Sequence, residues 1–192
     1  MGVYLVSVAA QDWSQRGEDG YGDVAAALNT ELERRRLPPY ELRQATGEAP
    51  GGFEEKVSPS MDSFLALCRT RLTDAELSAL LDWTVLVPFA LEEEIVLPVG
   101  TAYSGEETVV ASAPGVLALA ERLADAVELP LDAIPSGESL TLSLWFLQGG
   151  AEQTARTRTG PWAEDRDAAF YTALYLRAAQ HSIRHHCPMT YS

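Results

Sequence analysis

Apolar residues recur along this chain with two periods, and the changes of period mark out its elements. Residues 3–9 (VYLVSVA) are a nearly continuous apolar run rich in β-formers, the pattern of a strand covered on both faces. Residues 24–36 follow the helical period. Val24, Leu28 and Leu32 make one stripe, Asp23 stands at the N-cap, and Arg34, Arg35 and Arg36 sit where the helix dipole favours cations. Pro38 and Pro39 stop that helix. Ser58 and Pro59 read as N-cap and first residue of a helix that turns Met61, Phe64, Leu65 and Cys68 inward. Thr73 and Glu76 make a capping box that opens a short helix through Leu77, Leu80 and Leu81.

From Thr84 onward the period shortens. Residues 84–89, 94–103 and 107–112 are β-branched runs that predict consecutive antiparallel strands, with Pro88 and Pro98 at edges or bends. Ser112 then opens a helix with Val116, Leu119, Ala120, Leu123 and Val127 inward. Over residues 139–147, Leu140, Leu142, Leu144 and Phe146 alternate with polar positions and Trp145, which predicts a strand. Residues 148–160 read as a polar loop, and residues 163–186 as a final helix roughly 36 Å long. Phe170, Tyr171, Leu174, Tyr175, Leu176 and Ile183 cover most of its circumference, so it is expected in the core. The fold class that follows is α+β: a single domain over 1–192, with a mixed, mostly antiparallel sheet of about five strands, helices packed on it and a long buried C-terminal helix. The Gly-rich stretch 44–57 is expected to be a flexible surface loop.

Charge narrows the classes. Against 14 basic residues stand 28 acidic ones, a net charge of -14, which disfavours direct nucleic-acid binding and favours a basic protein as partner. Lys56 is the sole lysine in an Arg- and Ala-rich chain, a composition that points to a bacterial source. Two cysteines, Cys68 and Cys187, are too few for a disulfide framework. The N-terminal residues lack the basic segment of a signal peptide, and no apolar run reaches the ~20 residues of a membrane span. A soluble cytoplasmic protein is the expectation.

The chemistry-bearing residues gather at the C-terminus. His181 and His185, four apart on one helix face, followed by Cys187, are zinc-type ligands, but no second His segment, CxxC or HExxH completes a set, and no cofactor is predicted. Arg166, Arg177 and Arg184 share the polar arc of the same helix. Ion pairing with carboxylates would explain them, and a site for an anionic ligand is the alternative. Gly17, Gly20 and Gly22 match neither GxGxxG nor GxxxxGK[ST], and Asp12, Glu18, Asp19 and Asp23 around them would repel phosphate. Glu92, Glu93 and Glu94 read as a solvated turn. Two functions follow: a non-catalytic interaction or regulatory protein that binds a basic partner, or a small enzyme or anionic-ligand-binding domain sited at the C-terminal helix.

Overall fold

A six-stranded mixed sheet in the order β2-β1-β6-β3-β5-β4 forms the middle of the molecule, whose computed structural model describes residues 2–17, 20–42, 52–101 and 104–192. The strands are β1 (Val3–Ser7), β2 (Glu54–Val57), β3 (Val85–Val87), β4 (Ile95–Leu97), β5 (Thr108–Ser112) and β6 (Met189–Tyr191). Every pairing is antiparallel except β3 with β5, which is parallel. The expected succession of antiparallel strands over 84–112 therefore holds for β4 with β5 alone.

Alternation along the strands decides the layering. Val85 and Val87 of β3, Ile95 and Leu97 of β4 and Val110 of β5 face one side, where they pack with Trp13 of α1 (Ala10–Ser14) and with Val24, Leu28 and Leu32 of α2 (Gly22–Arg34). Leu5, Leu86, Ala111 and Met189 face the other. There they meet α3 (Asp62–Arg71), α4 (Asp74–Leu81), α5 (Ala113–Ala126), α6 (Thr141–Leu147), α7 (Gly150–Ala155), α8 (Pro161–Glu164) and α9 (Arg166–His185). The expected α+β class, single mixed sheet and buried C-terminal helix are all present.

α9 is the centre of the larger layer. Asp165 caps it, accepting from the Ala168 N–H at 3.0 Å, and His186 ends it in the left-handed conformation (φ 52°). Thirteen of its 20 residues are buried, among them Phe170, Tyr171, Leu174, Tyr175 and Leu176. Each large apolar side chain buried in this way contributes about 1.5–3 kcal/mol. Phe64 of α3 stacks on both Tyr171 and Tyr175, with centroids 5.5 and 5.7 Å away. The tyrosine hydroxyls stay satisfied: Tyr171 donates to the Pro59 carbonyl at 2.6 Å, and Tyr175 and Tyr191 share a bond of 3.0 Å.

Several boundaries depart from the sequence pattern. Residues 141–147 are helix, not strand, and the cause is local and specific. Ser139 (φ 44°) and Leu140 (φ 67°) are both left-handed, which breaks an extended chain just before α6. The buried Glu55 carboxylate of β2 then accepts the Leu142 N–H (2.8 Å), the Ser143 N–H (2.8 Å) and the Ser143 hydroxyl (2.7 Å). It supplies from another element the cap that α6 lacks in its own sequence. The same contact covers the outer edge of β2. The Leu140 N–H donates to the Glu54 carbonyl at 2.7 Å, and the Lys56 N–H to the Ser143 hydroxyl oxygen at 3.0 Å.

Residues 54–57, expected within the loop, are thus β2, and 44–51 of that loop lie outside the described residues. α3 starts at Asp62 rather than at Pro59, α2 starts one residue before Asp23, α7 occupies part of the expected loop 148–160, and β6 follows Pro188. The capping box of Thr73 with Glu76 and the Ser112 cap of α5 form as expected. Replacing Glu55 by Ala leaves two buried N–H groups without an acceptor. A loss of about 2–4 kcal/mol is expected, measurable as a lower urea midpoint with faster hydrogen exchange at the Leu142 and Ser143 amides.

Candidate functional site

Among the described residues, two places carry recognisable chemistry, and their charges are opposite. The first is where the sequence pointed, at the C-terminal end of α9. Ser136, Glu138, Arg177, Gln180, His181, Arg184 and His185 line a small cleft of about 20 Å³ there. His181 and His185 lie one turn apart with ring centroids 4.3 Å from each other, and Phe53 tilts against His181 at 5.5 Å. Burial, then His185, then Arg184 pull the His181 imidazole down to about 4, so it is neutral at neutral pH.

The three arginines do not form one site. Arg166 and Arg184 are 18 residues apart, about 27 Å along the helix. Arg166 lines a different cavity, with Phe146, Glu152 and Asp167. Arg177 and Arg184 do come together. The Arg177 guanidinium is already engaged. Its Nε–H donates to the Pro135 carbonyl (3.1 Å), and Nη2 donates to the carbonyls of Leu131 (2.8 Å) and Ile134 (2.9 Å). Nη1 reaches Gln180 Oε1 at 2.9 Å. Backbone carbonyls thus take the place of the carboxylates expected to neutralise it. Burial and the neighbouring Arg184 lower its pKa. Among the described residues, neither Arg166 nor Arg184 is in an ion pair.

Cys187 lies outside the cleft that His181 and His185 line. It is buried, its thiol pushed up to about 11 by that burial, and its carbonyl accepts from the Ser182 hydroxyl at 2.7 Å. Among the described residues no group of three His, Cys, Asp or Glu side chains is placed to hold a metal ion.

The second place went unread in the sequence. A groove of about 600 Å³ runs between α4 and α5, with the 91–94 segment as its rim. Ala75, Ser78 and Ala79 of α4 form one wall, and Ser112, Gly115, Val116 and Leu119 form the other. These positions follow i, i+3, i+4 and i+7 spacing, so each wall is one helix face, and its side chains are mostly small. The groove reaches Ala111 and Ser112 at the carboxyl end of β5.

Glu92 and Glu93 are exposed on the rim, and Glu94 is half-buried with its Oε1 shielded from water and without a hydrogen-bond partner. Arg35 pins this rim. Its guanidinium bonds Glu31 at 2.7 Å and reaches the Glu93 carbonyl at 3.3 Å and that of Glu94 at 3.5 Å. The three glutamates are legible as an acidic run. The groove is not, because its walls are two alanines, two serines, a glycine, a valine and a leucine brought together only by the packing of α4 on α5.

Two outcomes test the α9 cleft as a structural unit. Arg177→Met strands three carbonyls and should cost about 2–4 kcal/mol, lowering Tm by about 5–15 °C. The depressed His181 predicts the direction of a pH effect. Unfolded, the imidazole titrates near its ordinary 6.5; folded, near 4. Between those values unfolding takes up a proton, so this contribution is complete above pH 6.5 and fades as pH falls to 4. The wild type should lose about 1–3 kcal/mol more over that window than His181→Phe does, read as the difference of their urea midpoints.

Comparisons of the chain with protein-family models, with curated proteins and with solved structures give no match.

Proposed function

We propose that this is a non-catalytic cytoplasmic interaction protein that holds a basic, amphipathic segment of a partner protein in the groove between α4 and α5. The observation that carries this reading is the pairing of aliphatic walls with a carboxylate rim in one cavity of about 600 Å³. Ala75, Ala79 and Leu119 offer apolar contact, while Glu92, Glu93 and Glu94 meet positive charge at one end. An amphipathic helix places its apolar anchors at the same i, i+3, i+4, i+7 spacing that the walls present. Small wall residues let a third helix approach within the 8–10 Å of ordinary helix packing.

Electrostatics act in the same sense at longer range. A net charge of -14 steers basic partners toward the surface and speeds encounter. Arg35 is spent on Glu31 and on two backbone carbonyls, so it holds the rim without neutralising its side chains. The α9 cleft has the opposite character, and its most buried guanidinium is committed to the protein's own backbone.

An 18-residue Lys/Leu amphipathic peptide is a sufficient probe. Titrated against labelled protein, it should shift the amide resonances of Ala75, Ala79, Gly115 and Leu119 and bind more weakly as salt rises. Glu92→Lys with Glu93→Lys should weaken it at least tenfold. Equal binding of a Glu/Leu peptide, or no effect of the double substitution, overturns the proposal.

A further inference from the structure

The cleft at the end of α9 is an electrostatic exception in this chain. Two guanidiniums, two imidazoles, an amide and a hydroxyl line it, against the single carboxylate of Glu138, in a protein whose net charge is -14. Glu138 is exposed, and among the described residues it is in no ion pair with Arg177 or Arg184. Arg177 is a fixed positive wall, held by four hydrogen bonds. Arg184, exposed and outside any ion pair among the described residues, has its donors available to a ligand.

From this arrangement we infer that the cleft binds the oxyanion end of a small acid, a carboxylate or phosphoryl group, held by Arg184 together with the imidazoles of His181 and His185. Guanidinium matches either group with paired N–H donors. A neutral imidazole still has one N–H to donate. The cleft of about 20 Å³ has room for about one oxygen-sized group, so only the end of the ligand enters and its body stays outside. A zinc ion is the competing occupant, since His181 and His185 have the i, i+4 spacing of helical ligand pairs. The charges decide between them. Two guanidiniums on the wall repel a dication and attract an anion. The inference is independent of the groove between α4 and α5, because none of its residues lies there.

The third histidine supplies an internal control. His186 is exposed, caps α9 and does not line the cleft. The full-length protein is titrated at pH 7 and constant ionic strength with inorganic phosphate, with acetate and with chloride, while the three imidazole C–H resonances are followed. Phosphate or acetate should move His181 and His185 along a saturating curve and leave His186 in place, with chloride inactive; the more effective of the two identifies the ligand class. Arg184→Gln, a surface change, should raise the apparent Kd at least tenfold, and Arg184→Lys should restore part of it. Equal, linear shifts at all three histidines overturn the inference, as does a response unchanged in Arg184→Gln. Stoichiometric zinc uptake that moves His181 and His185, with no saturable response to either anion, overturns it in favour of a metal site.

Discussion

A helix with almost no face to give to water governs this molecule. α9 buries thirteen of its twenty residues, so each neighbouring element is positioned by what it must cover. α5, α3, α6 and α8 pack around it, and β3 lies beneath. The exception is the guanidinium of Arg177, half-buried in the middle of that surface. The 131–135 segment resolves it by turning three carbonyls inward. The connection that carries Pro130 and Pro135 meets the need to solvate one cation. From there the chain passes through Gly137, Ser139 and Leu140, all left-handed, into α6, whose first turn is closed by Glu55. One half-buried charge is thus met by the 131–135 segment, and the residues that follow it lead to the finish of the sheet.

What the sequence discloses and what it withholds divide along a physical line. Long periodic segments are self-announcing: the Val24, Leu28 and Leu32 stripe, the inward face of α5, and the apolar circumference of α9. So are caps whose donors and acceptors lie within a few residues, as in Thr73 with Glu76. The failures are elements that depend on a distant partner. Residues 139–147 alternate like a strand, yet two left-handed residues and a carboxylate from β2 make them a helix. That choice leaves Leu144 and Leu147 exposed at 42% and 56%, so the alternation records no sheet face at all. Glu54–Val57 carries three charged residues in four and is a strand because β1 lies alongside it.

The same division holds for the functional places. His181, His185, Arg177 and Arg184 are conspicuous by type and do share a cleft, while Cys187 and Arg166, equally conspicuous, lie elsewhere. Side-chain identity selects candidates, but only packing tells which of them face one another. The α4–α5 groove shows the reverse case. Its walls are residues of no chemical distinction, and its character comes from the space that small side chains leave between two helices.

The sealing of β2 has a consequence for how this protein behaves at high concentration. A sheet has two margins, and here the start of α6 occupies one of them, the Leu140 N–H donating to Glu54 and the Ser143 hydroxyl oxygen accepting from Lys56. Strand-to-strand growth is thereby directed to β4, where Val96 is 57% exposed. That margin is three residues long, and Pro98 just beyond it has no N–H to offer a further rung. Polymerisation through the sheet would have to begin from a template too short to hold a register, so the fold guards its concentrated solutions with geometry at one end and brevity at the other.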